Sequence, residues 1–108
     1  DSLQIRHSQL DRAQLELGVK ADLSHLWQAY RNNLRLLNLE RQNLVAAREN
    51  HEIAKERYLL GDLSGIEMRE AQKSLLDAEE RILSAEYNTK VCEISLLQLS
   101  GRITKYLE

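Results

Sequence analysis

One short stretch, Leu60-Gly61-Asp62-Leu63-Ser64, interrupts a sequence that otherwise has almost nothing to stop a helix. Among 108 residues there is no proline and there are only four glycines, so the commonest helix breakers are nearly absent. Leu, Ala, Glu, Gln, Arg and Lys dominate on both sides of the break, and these are mostly strong helix formers. Gly61 suits the left-handed conformation that ends a helix. Ser64 then stands as an N-cap, Glu67 occupies the third helical position to return the bond, and Leu63 can staple onto Met68. The pattern predicts an all-α fold, a long antiparallel α-helical hairpin of coiled-coil type. Its first helix covers about 3–60, its turn 61–63, its second helix 64–100, and a short tail 101–108.

Periodicity supports the hairpin from both arms. After the break, Met68, Ala71, Leu75, Ala78, Ile82, Ala85, Thr89, Cys92, Leu96 and Leu99 recur at alternating three- and four-residue spacing, a sustained heptad seam. Leu76, Leu83, Tyr87, Ile94 and Leu97 lie beside it, a width that implies more than one packing neighbour. In the first arm the seam reads Leu23, Trp27, Tyr30, Leu34, Leu37, Arg41, Leu44, Arg48, His51, Lys55 and Tyr58, with a second line of small residues through Ala47 and Ala54. The charged members of that series can cover the seam with their alkyl stems. Folding at Gly61 brings level those positions whose numbers sum to roughly 125–126, so Leu44 faces Ile82, Leu34 faces Cys92, Tyr30 faces Leu96 and Trp27 faces Leu99. Ala54 then meets Ala71, and Ala47 meets Ala78. Residues 1–22 overhang the partner arm, with Leu3, Leu10, Leu17 and Ala21 still near heptad spacing.

Composition narrows the functional classes. Aromatic residues are 5% of the chain with no Phe, thin for a compact core, whereas 43% apolar residues suffice for a rod with an apolar seam. A formal charge of -2 gives no long-range attraction to nucleic acid or anionic lipid. No apolar run approaches the roughly 18–20 residues of a membrane-spanning helix. No signal peptide is visible, and the sequence begins and ends in mid-pattern, so we expect a piece of a longer protein, about whose leader the missing signal peptide says nothing.

Little in the sequence can do chemistry, and we expect no enzyme, no cofactor and no metal. His7, His25 and His51 are spread along one arm, too far apart to converge on an ion, and His51-Glu52 lacks the second histidine of a helical zinc site. Cys92, the only cysteine, falls on the seam as a packed thiol. The glutamates read as helix-surface charge. The apex differs, because Leu60, Leu63 and Ile66 are expected to stand exposed at the end of a rod, close to Asp62 and Glu67.

Several ordered motifs resemble the TolC family of outer membrane efflux proteins. They begin with Asn43-Leu44-Val45-Ala46-Ala47-Arg48-Glu49-Asn50 and Ala54-Lys55-Glu56-Arg57-Tyr58-Leu59-Leu60-Gly61. Leu63-Ser64 follows, then Glu67-Met68-Arg69-Glu70-Ala71-Gln72-Lys73-Ser74-Leu75-Leu76-Asp77-Ala78. Ala85-Glu86-Tyr87-Asn88 and Leu96-Leu97-Gln98-Leu99-Ser100-Gly101 complete the series. In that family a Tyr/Phe-x-x-Gly turn leads to a serine or threonine start, an Ala-Gln pair and an alanine ladder ending at Leu-x-x-x-x-Gly. The likeness is strong over 23–101 and weak over 1–22.

The resemblance implies a TolC-type α-helical barrel, in which a trimeric channel takes two such hairpins from each subunit to build a periplasmic duct. The membrane-embedded β-barrel part lies outside this chain. The turn Leu60, Gly61, Asp62, Leu63 and Ser64 corresponds to the tip that meets a periplasmic adaptor protein working with an inner membrane pump. Glu67 matches an acidic position at the channel entrance, and Asp62 departs from the apolar residue often found after the glycine. The implied location is the periplasmic portion of the cell outer membrane, and the implied role is export of small molecules. The alternative is a structural coiled-coil hairpin of an adaptor or spacer protein, which needs one main seam where a barrel wall must bury both flanks. A hairpin taken out of a barrel exposes those flanks, so self-association is expected, as an antiparallel or side-by-side dimer.

Overall fold

A computed structural model describes residues 1–107, apart from the Tyr106 side chain, and contains two helices. Helix α1 runs Ser2–Leu59 and helix α2 runs Gly65–Leu107, antiparallel to it. The molecule measures 88 × 20 × 14 Å, and the long dimension is that of α1 alone, since 58 residues at a rise of about 1.5 Å span about 87 Å. Its radius of gyration is 24.4 Å, where a globule of this length would have about 13 Å. The chain is a rod.

What holds the rod together is one strip of contact. On α2, Met68, Ala78, Ala85 and Thr89 are buried, and Ala71, Leu75, Ile82, Cys92, Leu96, Leu99 and Ile103 are half-buried. These positions follow one unbroken alternation of three and four residues. Ala78 and Ala85 are almost wholly covered, at 0% and 2% exposure. Single-methyl side chains there let the two backbones approach toward the short end of the usual 8–10 Å or so between packed helices.

On α1 the covered positions are Val19, Leu23, Leu26, Tyr30, Asn33, Leu37, Glu40, Leu44, Ala47, His51 and Ala54, again at alternating four- and three-residue steps. Half of this line differs from the expected one. Trp27 is 52% exposed and Leu34 37% exposed, and both lie on the flank one residue past the seam, which takes Leu26 and Asn33 instead. Arg41, Arg48 and Lys55 are likewise exposed, while Glu40, Ala47 and Ala54 fill the corresponding seam positions. The physical reason is that the seam admits two polar side chains, Asn33 and Glu40, that find partners on the opposite arm. Cross-arm bonds join Asn33 to Thr89 and Cys92, and Glu40 to Arg81. The bonded numbers sum to 121–125, so the arms meet within one helical turn of the expected register.

Helix α2 also continues past the expected stop. Gly101 is helical, and the helix runs on to Leu107. An isolated glycine costs a helix only about 1 kcal/mol against alanine, and here the seam continues beyond it. Ile103 is half-buried, Leu99, Ile103 and Leu107 face Leu15, Val19 and Leu23 across a shallow groove, and the Thr104 hydroxyl donates to the Ser100 carbonyl at 3.0 Å. The unpaired overhang of α1 therefore shrinks to its first turns, where Leu3, Ile5 and Leu10 are 58–73% exposed.

Candidate functional site

The apex is built from two interlocking caps. Leu60 closes α1 in right-handed conformation, and Gly61 follows at φ +79°, the only positive φ among the described residues. That reversal lets the Gly61 amide reach the Tyr58 carbonyl at 3.0 Å and the Asp62 amide reach the Arg57 carbonyl at 2.8 Å. The pair of bonds is a Schellman motif, and it satisfies carbonyls that the helix end leaves free. Arg57 adds a side-chain clasp: its Nε lies 3.5 Å from the Asp62 carboxylate, and its Nη2 donates to the Asp62 carbonyl at 3.5 Å. Asp62 is thus the acidic half of a turn clasp.

Ser64 then starts α2. Its hydroxyl accepts from the Glu67 amide at 3.2 Å and donates to the Glu67 carboxylate at 3.2 Å, and its carbonyl accepts from the Met68 amide at 3.0 Å. In an ordinary capping box the acidic side chain would return to the cap's backbone amide; here it accepts from the hydroxyl. Glu67 remains exposed at the first turn of α2, where the free amides favour a negative charge.

The apolar residues of the apex fall into two groups. Leu63, expected as an exposed tip residue, is half-buried, and Met68 behind it is buried, the arrangement a hydrophobic staple produces. Leu59, Leu60 and Ile66 are 75%, 84% and 70% exposed. The rod therefore ends in three large apolar side chains in water, held by a turn that the Schellman bonds and the Ser64 cap close.

Two further apolar stripes run along the shaft. On α1, Leu39, Ala46, Ile53 and Leu60 keep heptad spacing with Leu36 three residues before them, all five are exposed, and Leu36 borders a groove with Glu80, Arg81 and Asn88 of α2. On α2, Leu76, Leu83, Tyr87, Ile94 and Leu97 are 45–70% exposed, and their three- and four-residue steps set them on the face turned away from the seam. The 100° step per residue of a helix separates these stripes from the seam. Trp27 packs against the seam residue Tyr30, with ring centroids 6.0 Å apart.

Sequence reasoning missed the polar cross-arm residues Asn33, Glu40 and Arg81. A strict count of the 3-4 alternation back from Ala54 and Ala47 passes through Glu40 and Asn33, so the signal was present, though masked by the preference for apolar side chains at seam positions. Among the described residues no group of three or more His, Cys, Asp or Glu could hold a metal ion, and no helix is long and apolar enough to cross a membrane.

No family model matches the chain, and neither the curated proteins nor the solved structures contain a match to it.

Proposed function

We propose that this hairpin is a wall segment of the periplasmic α-barrel of a trimeric, TolC-like outer membrane efflux channel, with its apex as the adaptor-docking tip. The observation that carries the reading is the pair of exposed apolar stripes, one on each arm and both outside the shared seam. A free-standing spacer needs only its internal seam. A stave in a closed wall needs an apolar flank toward the neighbour on each side. The ordered motifs from Asn43 to Gly101 that resemble the TolC family agree with that requirement and supply the partner class.

At the tip, Leu59, Leu60 and Ile66 offer an apolar contact on a backbone already locked by the two caps. A locked apex loses little conformational freedom on docking, which favours binding. Glu67, behind them, is the candidate acidic group at the duct entrance, where a ring of like charges in a trimer would set the local field.

Replacing Leu60 with Asp in the full-length channel tests the docking role. Leu60 is 84% exposed, so the hairpin should fold unchanged, and transport should fall to background while trimer assembly and membrane insertion persist. Leu63→Asp is a poorer probe because it also opens the staple onto Met68. Transport at the parental level in a Leu60→Asp channel would remove the apex from the docking surface.

A further inference from the structure

The outward stripe of α2 reads the same in both directions. Leu76, Glu80, Leu83, Tyr87, Lys90 and Ile94 follow one another at steps of four, three, four, three and four, a palindrome in spacing. Set against a reversed copy of itself, the stripe forms level layers in which the paired residue numbers sum to 170: 76 with 94, 80 with 90, and 83 with 87. Each apolar residue then meets an apolar residue, Leu76 with Ile94 and Leu83 with Tyr87. Each charge meets its opposite, Glu80 with Lys90. A two-fold axis repeats every layer, which is the self-complementarity an isologous interface requires.

The register is specific. Sliding one copy by a heptad in one direction puts Lys73 against Lys90 and Glu80 against Leu83. Sliding it the other way puts Glu80 against Leu97 and Tyr87 against Lys90. Only the central register buries the four apolar side chains together and neutralises both charges. The side chains are available: Leu76, Leu83, Tyr87 and Ile94 are 56%, 64%, 70% and 45% exposed. Among the described residues Lys90 is engaged by Glu93 on its own helix, at 3.4 Å and in view of solvent, a pair worth little and readily exchanged. No ion pair engages Glu80 among the described residues. Set end to end against a reversed copy, with Leu36 level with Leu60, the α1 stripe puts Leu39 against Arg57 and Asn43 against Ile53, so that register pairs no opposite charges.

We propose that α2 is a homodimer interface in which two copies of this chain pack α2 against α2, antiparallel about a two-fold axis level with Ala85. Leu76, Leu83, Tyr87 and Ile94 form its apolar layers, and Glu80 and Lys90 fix its register. The contact runs about 27 Å along each rod, from 76 to 94 at about 1.5 Å per residue, and the two apices lie at opposite ends of the pair. The proposal does not rest on the channel reading, in which all hairpins run in one direction. The same stripe serves the neighbouring stave in a wall and the second copy when the hairpin is alone.

Sedimentation equilibrium of the 108-residue chain over a concentration series tests it, with helicity followed by circular dichroism. The chain should show a monomer–dimer equilibrium. Leu83→Glu should raise the dissociation constant at least about a hundredfold with helicity unchanged, while Leu39→Glu on the other stripe should leave it within about twofold. Glu80→Lys and Lys90→Glu should each weaken the dimer about tenfold, and the double swap should restore it to within a few-fold. A monomer at every concentration, dissociation by Leu39→Glu, or a double swap as weak as either single one would overturn the proposal. None of these outcomes bears on the transport of a Leu60→Asp channel, so this proposal and the channel reading fail separately.

Discussion

The Arg81 guanidinium meets the Glu40 carboxylate at 3.0 Å across the two arms, and the two charges sit in very different surroundings. The Glu40 side chain is 10% exposed and that of Arg81 is 51% exposed. A carboxylate taken out of water depends on its partner, whereas a half-solvated guanidinium does not. Arg81→Ala should therefore destabilise the hairpin by about 1–3 kcal/mol, since it strands a covered carboxylate. Glu40→Leu should be neutral or stabilising by about 1 kcal/mol, because leucine suits that seam position. Urea unfolding of the two variants checks the asymmetry, and equal losses in both would contradict it.

Asn33 carries the second polar layer. Its side-chain amide donates to the Ala29 carbonyl at 2.8 Å and to the Cys92 sulfur at 3.3 Å, while the Thr89 hydroxyl, 2.7 Å from the Ala85 carbonyl, lies 3.3 Å from the Asn33 carbonyl. These contacts tie one level of α1 to one level of α2. Asn33→Ala and Cys92→Ala should each destabilise, and together they should fall short of the sum by about 0.5–1 kcal/mol. A double-mutant cycle by urea unfolding reads that coupling. Strict additivity would mean that the contact carries no energy.

Two glycines should respond to alanine with opposite sign. Gly61 holds φ +79° in open space, so Gly61→Ala meets no side chain and costs only backbone strain, about 1 kcal/mol. Gly101 lies within α2 with nothing within 4 Å of an added Cβ, so Gly101→Ala should stabilise by about 0.5–1 kcal/mol. Thermal melts of the two variants, run side by side, should move in opposite directions. A stabilising Gly61→Ala would contradict the role of that residue in the turn.

The hairpin was legible because its signals are local and agree with one another. The Gly61 reversal, the Ser64–Glu67 cap and the α2 heptads each follow from a few residues, and no distant contact overrides them. The phase of α1 was harder to read. Trp27 and Leu34 look like seam residues by their hydrophobicity, yet Leu26 and Asn33 hold those positions, because Asn33 and Glu40 gain partners from α2 that only the folded pair provides. Gly101 misled for a related reason. A helix stop there is reasonable for an isolated helix, but α1 extends far enough for Ile103 to keep packing. At the apex, sequence identified the turn but not the division between the half-buried Leu63 and the exposed Leu59, Leu60 and Ile66, which depends on how the staple closes on Met68.

The proposed docking role of the apex is tested most directly by site-specific crosslinking along the rod in the full-length form of the proposed channel. Single cysteines at Leu10, Leu39, Leu60 and Ile66, in a background with Cys92 replaced by Ala, would carry a short crosslinker toward the periplasmic adaptor. Docking by the apex predicts strong adaptor crosslinks at positions 60 and 66 and none at position 10, with position 39 joining neighbouring hairpins of the proposed channel. Strong adaptor crosslinks at position 10 with none at 60 or 66 would contradict it, since the docking end would then be the one opposite the turn.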